Sequence, residues 1–194
     1  MNLTSESLLE RLKHAGPDAP DWHRLQDLYL PLIRSWLSRV PGIGDEVDDL
    51  AQEILVVVFG ELPKFERRRD GAFRAWLRQI TVNRIRTFWK SKRRQPITGG
   101  NDEVDHLLSQ LADSTSDLAR QWDRDHDNHV LQQLLSRVKG DFEPATWESF
   151  VRFALQGRPA AKVALELGVS ENSVALAKFR ILKRLREEAA DLID

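Results

Sequence analysis

The sequence contains no cysteine, which excludes disulfides, a thiol nucleophile and any cysteine-ligated metal site. It also lacks an apolar run approaching the ~18 residues that a membrane helix requires. No stretch before residue 72 alternates apolar and polar residues as a half-buried strand does. The first residues, MNLTSESLLERLKHAG, carry acids and an amphipathic period where a secretion signal would be basic and then apolar. The expected location is therefore the cytoplasm, without membrane insertion. Net charge is almost absent as well: 29 Lys and Arg stand against 30 Asp and Glu in 194 residues. With 41% hydrophobic and 30% charged residues, the chain has the composition and length of one large or two small globular domains.

The small net charge hides a block structure. About a dozen Lys and Arg lie between Lys64 and Arg94, opposed only by Glu66 and Asp70. From Asp102 to Asp127 the sign reverses, with Asp102, Glu103, Asp105, Asp113, Asp117, Asp123, Asp125 and Asp127 against Arg120 and Arg124. Val174 to Arg186 is basic again, with Lys178, Arg180, Lys183, Arg184 and Arg186 and no acid. Two basic blocks around an acidic one are either solvated helix faces or two anion-binding surfaces.

Apolar residues recur at three and four throughout, the period of an amphipathic helix. Leu8, Leu9 and Leu12 predict a short helix ending near Gly16-Pro17. Trp22 to Val40 predicts a long one, stopped by Pro41-Gly42 and kinked or broken at Pro31. Val47 to Phe59 and the stretch AFRAWLRQITVNRIRTFWKSKRR, residues 72 to 94, predict two more. In the latter Phe73, Trp76 and Ile80 read as core, whereas Phe88 and Trp89 sit among cations. Pro96 to Ala119 is rich in Gly, Ser, Thr and acid, which predicts a flexible linker with at most a helical turn at His106 to Leu111. Helices then resume over 122 to 138 and from Pro144 toward Gly157, followed by two shorter ones. The expectation is an all-α fold of two small domains, 1–96 and 121–194, joined by an acidic linker at 97–120.

RPAAKVALELGVSENSVALAKFRILKRLREE, residues 158 to 188, fits a helix-turn-helix. Ala164 is small enough for a close crossing, Gly168 takes the left-handed turn, and Val174 pins the second helix to the first. Ser170 is placed to cap that second helix and Glu171 to complement its dipole. Asn172, Ser173, Leu176, Phe179 and Arg180 would then reach base edges and phosphates. Lys178, Lys183, Arg184 and Arg186 would serve mainly as phosphate clamps.

In this order the parts are recognisable. The chain resembles an extracytoplasmic-function (ECF, group IV) sigma factor of bacterial RNA polymerase over nearly its whole length. DEVDDLAQEILVVVF (45–59) is similar to the family's region 2.2, a helix that docks on the polymerase β′ clamp. FERRRDGAFRAWLRQITVNRIRTFWKSKRR (65–94) is similar to the loop and helix that open and read the −10 element. The final helix-turn-helix is similar to region 4.2, which reads the −35 element.

The resemblance implies roles for particular residues. Asp48, Asp49, Gln52 and Glu53 would meet the polymerase, although acids also favour any helix start. The loop from Phe65 to Ala72 would capture a flipped −10 base. Arg67, Arg68, Arg69, Asn83, Arg84, Arg86, Trp89, Lys90 and Arg93 would hold the melted −10 strand, cations on the backbone and aromatic faces on bases. Ser170, Asn172, Ser173, Leu176, Lys178, Phe179, Arg180 and Lys183 would serve the −35 element. Implied partners are the core polymerase (β′ clamp and β flap), promoter DNA and an anti-sigma factor; no cofactor, metal or catalytic residue is implied. One departure stands out: where the family commonly has Val-Lys/Arg-Ser-Arg, this chain has Val174-Ala175-Leu176-Ala177, so its −35 preference should differ.

Two rivals explain less. A dimeric helix-turn-helix regulator would account for 158–188 but not for 45–94. A metal-dependent nuclease would need the acids at 45–53 to converge with a base. His126 and His129, beside Asp123 and Asp127, could hold a metal only at what reads as a wet helix surface.

Overall fold

The structure, a computed structural model, describes residues 7–16, 19–66, 71–92 and 101–192. Every regular element among them is helical. Two compact units emerge, residues 6–130 and residues 131–193.

The first unit begins with α1 (Leu8–Lys13), capped by Ser7, which accepts from Glu10 N–H at 3.4 Å. Next come α2 (Pro20–Leu37), α3 (Val47–Glu61) and α4 (Ala72–Lys92). Their apolar faces meet in one core: Leu25, Leu28, Tyr29 and Ile33 of α2, Leu50, Ala51 and Ile54 of α3, and Phe73, Leu77 and Ile85 of α4 are all buried. Phe65, just ahead of α4, is buried with them, its ring 4.9 Å from Trp76 and 5.7 Å from Phe73.

Of the kink or break expected at Pro31, the break does not occur: α2 runs through it from Pro20 to Leu37. An interior proline costs ~3 kcal/mol. Its neighbours Leu28, Tyr29, Leu32 and Ile33 are all buried, and each contributes roughly 1.5–3 kcal/mol by leaving water. Packing therefore outweighs the local penalty.

The acidic segment differs most from expectation. Instead of a flexible linker over 97–120, residues 101–112 form α5 (Asn101–Ala112), well beyond a turn at His106 to Leu111, and α6 (Asp117–Lys139) starts soon after. Val104, Leu108 and Leu111 are buried at four- and three-residue spacing, and α5 packs on α4. Ala119, Trp122, His126 and Val130 continue as a buried stripe on α6. Three or four apolar residues at helical period sufficed to dock a segment whose composition reads as a tether. The division between the units accordingly falls inside α6, after Val130, and not at 97–120.

The second unit contains α7 (Pro144–Phe150), which continues through a wider π-type turn, Val151–Leu155, then α8 (Ala160–Leu167) and α9 (Glu171–Leu192). Two short final helices were expected after Gly157; α9 is instead 22 residues long. Gly168, at φ +66°, makes the left-handed turn between α8 and α9, and Val169 N–H closes it on Ala164 O at 3.0 Å. Val163, Ala164 and Val174 form the buried centre, with Phe153, Ala160, Leu167 and Val169 around it. Glu166 joins Arg152 (2.8 Å) and Arg158 in an exposed ion-pair cluster. The Arg158 hydrogen bond leads the contributions that hold its carboxyl below the ordinary carboxylate range.

Candidate nucleic-acid interface

On α4 the buried stripe Phe73, Leu77, Ile80, Thr81 and Ile85 fixes which residues face outward. Gln79, Asn83, Arg86, Thr87 and Lys90 are exposed and recur at three and four, so they share one outer stripe. Gln79 Nε2 donates to Asn83 Oδ1 at 3.0 Å, which orients the asparagine amide. Arg86 and Lys90 have no ionic partner among the described residues. Of the residues assigned to the −10 strand, Asn83, Arg86 and Lys90 are thus brought together. Gln79 and Thr87 share their stripe and were missed, although their spacing from Asn83 was readable.

Other members of that set are turned elsewhere. Arg84 is half-buried and pairs with Glu53 of α3. Trp89 lies against the backbone of Gly42: a Cβ added there would stand 2.7 Å from the indole Cη2. Gly42 has φ +77°, so this close approach also needs glycine's conformational freedom. Phe88 meets Trp89 edge-on at 5.6 Å and carries Lys92 Nζ over its ring at 4.7 Å. The aromatic pair is therefore tied into the fold. Arg67, Arg68, Arg69 and Arg93 lie outside the described residues, as does residue 70, so half of the loop assigned to base capture does.

The N-terminal half of α4 has a different role. Arg78, only 5% exposed, donates to Asp123 Oδ1 at 2.8 Å and Ala119 O at 3.2 Å. Arg74 donates to Asp127 at 2.8 Å, while its carbonyl accepts from Trp122 Nε1 at 3.3 Å. Arg39 reaches Asp125 at 2.7 Å. Asp123, Asp125 and Asp127 of α6 are thus met by arginines of α4 and of the turn that follows α2. His126 and His129 are part of the same dock, not a wet surface. The His126 ring stacks on Tyr29 at 5.7 Å, and His129 Nε2 donates to Leu28 O at 2.5 Å. Burial pushes the His126 pKa down, against the opposing pull of Asp127 and Asp123. No group of three or more potential metal ligands converges among the described residues.

On α3, Asp48, Asp49, Gln52 and Glu53 are all exposed, and Val56 extends their face at 67% exposure. Asp48 pairs with Arg34 of α2 at 2.7 Å and Glu53 with Arg84, leaving Asp49 and Gln52 as the open polar positions.

In the second unit Ser170 Oγ accepts from Ser173 N–H at 3.1 Å and also meets Ser173 Oγ at 2.8 Å, capping α9 as its position suggested. Val174, Ala177, Ile181 and Leu185 are its buried stripe. Lys178 Nζ sits 5.2 Å from the Phe153 ring centre, and Arg184 bonds Asp141 (2.8 Å) and Glu188 (3.0 Å). Both cations are turned toward their own domain. Asn172, Leu176, Phe179, Arg180, Lys183 and Arg186 face outward.

A docked basic helix and a capped, basic helix-turn-helix are the kinds of element through which helical proteins engage nucleic acid. Residues 25–95, from within α2 through α4, match the family described as Sigma-70 region 2. Among curated proteins it is similar to "Probable RNA polymerase sigma factor RfaY" of Xanthomonas campestris pv. campestris, 25% identical over 147 residues. That alignment covers 76% of this chain but only 35% of the relative, so the chain spans about a third of that protein's length. Among solved structures, an RsbN–BldN complex aligns over 93% of this chain at 19% identity and a TM-score of 0.33. A complex of CnrH with the cytosolic domain of CnrY aligns over 93% at 18% identity and the same score. That score is too low to establish a shared arrangement.

Proposed function

We propose that this chain is an ECF-type sigma factor: a non-catalytic specificity subunit that binds bacterial core RNA polymerase and directs it to promoters. The observation that carries the reading is the Sigma-70 region 2 match, which falls on the helices whose outward faces are acidic on α3 and basic on α4. In this reading Asp49, Gln52 and the apolar Val56 dock on the core enzyme, with Asp48 and Glu53 at the rim. Asn83, Arg86 and Lys90 hold the melted −10 strand, the cations on phosphates and the amide on a base edge. The capped helix α9 enters the major groove of the −35 element. Asn172, Leu176, Phe179 and Arg180 face the bases, while Lys183 and Arg186 face the backbone. An anti-sigma factor competing for these faces, and a cytoplasmic site of action, belong to the same proposal.

Run-off transcription with core polymerase on a promoter library, with and without this chain, tests it. Initiation from promoters sharing a −35/−10 pair, only when the chain is present, is the expected result. Specific duplex binding by the chain alone, with no binding to core and no initiation, would overturn it in favour of a dimeric helix-turn-helix regulator.

A further inference from the structure

We propose that α9 recognises thymine through its 5-methyl group, with Leu176 as the specificity-determining side chain and Phe179 beside it. This rests on the reading of α9 as the helix that enters the major groove.

The geometry of α9 carries the inference. Its buried stripe, Val174, Ala177, Ile181 and Leu185, defines the side that faces the domain. At about 100° per residue, the line directly opposite runs through Asn172, Leu176, Phe179 and Lys183. Leu176 is 41% and Phe179 62% exposed, so neither serves the core. They occupy the middle of the outermost ridge, where a groove-entering helix presents its base-reading residues.

The polar alternatives are engaged elsewhere or displaced from the centre. Ser173 is bonded to Ser170, Lys178 lies over Phe153, and Arg184 is held by Asp141 and Glu188. Ala175, exposed beside Leu176, has no hydrogen-bonding group. Asn172 remains at the start of the ridge and Arg180 on its flank. The centre is a patch of Ala175, Leu176 and Phe179.

In the major groove every base edge presents a donor, an acceptor or both, and thymine adds a methyl group. A leucine set against a cytosine amino group or a guanine acceptor would desolvate it without a bond, which selects against those bases. Set against a thymine methyl, the same leucine buries two apolar surfaces. The flanks favour DNA over a protein partner as the occupant, because α9 has no acid from Asn172 to Arg186, while Arg180, Lys183 and Arg186 surround the patch. Leu176 and Phe179 are three residues apart, about 4.5 Å along the helix. That matches one to two base-pair steps of about 3.4 Å, so neighbouring thymines fall within their reach.

The test replaces each thymine of the −35 element, one at a time, by uracil, which keeps the pairing edge and loses the methyl. Promoter binding by the full chain with core polymerase is then measured. We expect about four-fold weaker binding at one or two positions, the worth of one buried methyl. In Leu176→Ala the thymine-to-uracil ratio should fall toward one at the position Leu176 covers, and in Phe179→Ala at its neighbour. Indifference to uracil at every position overturns the proposal while leaving the sigma reading intact. So does a variant that loses core binding with its thymine-to-uracil ratio unchanged, which would make the patch a protein-docking surface. Failure of the unaltered chain to direct any initiation, seen before uracil is introduced, would instead remove the reading on which the proposal stands.

Discussion

Helix α4 carries Arg74, Arg78, Arg84, Arg86, Lys90 and Lys92, and helix α9 carries Lys178, Arg180, Lys183, Arg184 and Arg186. The counts are close, but the partners differ. On α4, four cations are met by acids from other elements: Arg74 and Arg78 by Asp127 and Asp123, Arg84 by Glu53 and Lys92 by Glu46. On α9, Arg184 takes Asp141 and Glu188, and among the described residues Lys183 has only Glu187 on its own helix at 4.0 Å. Arg180 and Arg186 have no ionic partner among the described residues. Most α4 cations thus hold helices together, and its open face narrows to Asn83, Arg86 and Lys90. On α9 the outward ridge stays open.

Removing one of the paired cations of α4 should therefore cost stability, and removing an open one of α9 should not; Arg78 is the sharpest case. Arg78→Met keeps the aliphatic stem but strands Asp123 and Ala119 O. Breaking a fully buried pair costs about 3–5 kcal/mol, but Asp123 retains a third of its exposure, so about 2 kcal/mol is expected. Arg180→Met should stay within about 0.5 kcal/mol of the parent, as an exposed substitution does. Urea unfolding of both variants measures the difference; equal midpoints would mean that α6 is not held to α4 by this pair.

The aromatics repeat the contrast. Trp89 is built onto Gly42, whereas Phe179 stands in solvent. Gly42→Ala must place a side chain at φ +77° and push the indole aside, a loss of about 1–2 kcal/mol. Phe179→Ala should leave the melting temperature in place. A Gly42→Ala protein as stable as the parent would show that Trp89 can move freely, which would restore it as a surface for bases.

How much of this was legible depended on the distance between interacting residues. Leu8, Leu25, Leu50 and Phe73 announced their helices through local periods, and Ala164, Gly168, Val174 and Ser170 do structurally what their spacing required. The capture of Arg84 by Glu53, 31 positions away, left no local trace. Nor did the docking of Asp123 and Asp127 on α4. The acidic stretch 97–120 read as a tether. The buried stripe Val104, Leu108 and Leu111 was present in that stretch, but composition overrode it. At Pro31 the local signal for a break yielded to the surrounding core.

The dock between α6 and the core should also respond to acid. Burial lowers the pKa of His126 from its ordinary 6.5. The unfolded chain therefore binds a proton that the folded chain resists. Stability from this group is fully present above pH 6.5 and falls as pH drops below it, by at most about 1.4 kcal/mol per pH unit. Asp127 and Asp123 oppose the shift and Arg74 adds to it, so the observed slope should be shallower than that limit. Thermal melts between pH 7.5 and 5.5 should show the decline, and His126→Phe, which keeps a ring against Tyr29, should remove it. A parent protein with a flat profile through this range would place His126 in a wetter setting than its 5% exposure indicates.

The smallest effect is on salt dependence, and it separates open cations from paired ones. Each cation that neutralises a single-strand phosphate adds about 0.7 to the slope of log affinity against log salt. With core polymerase and a single-stranded −10 oligonucleotide, Arg86→Gln and Lys90→Gln should each lower the slope by about that amount. Arg74→Gln should leave it unchanged, because Arg74 is held by Asp127. Arg84→Gln should fall between, since Arg84 must leave Glu53 before it can meet a phosphate. Equal slopes in all four variants would mean that the paired arginines exchange their acids for DNA as readily as the open ones bind it. The acids of α3 and α6 would then compete with the strand for α4's cations, and the separation of this helix into a structural face and an open face would fail.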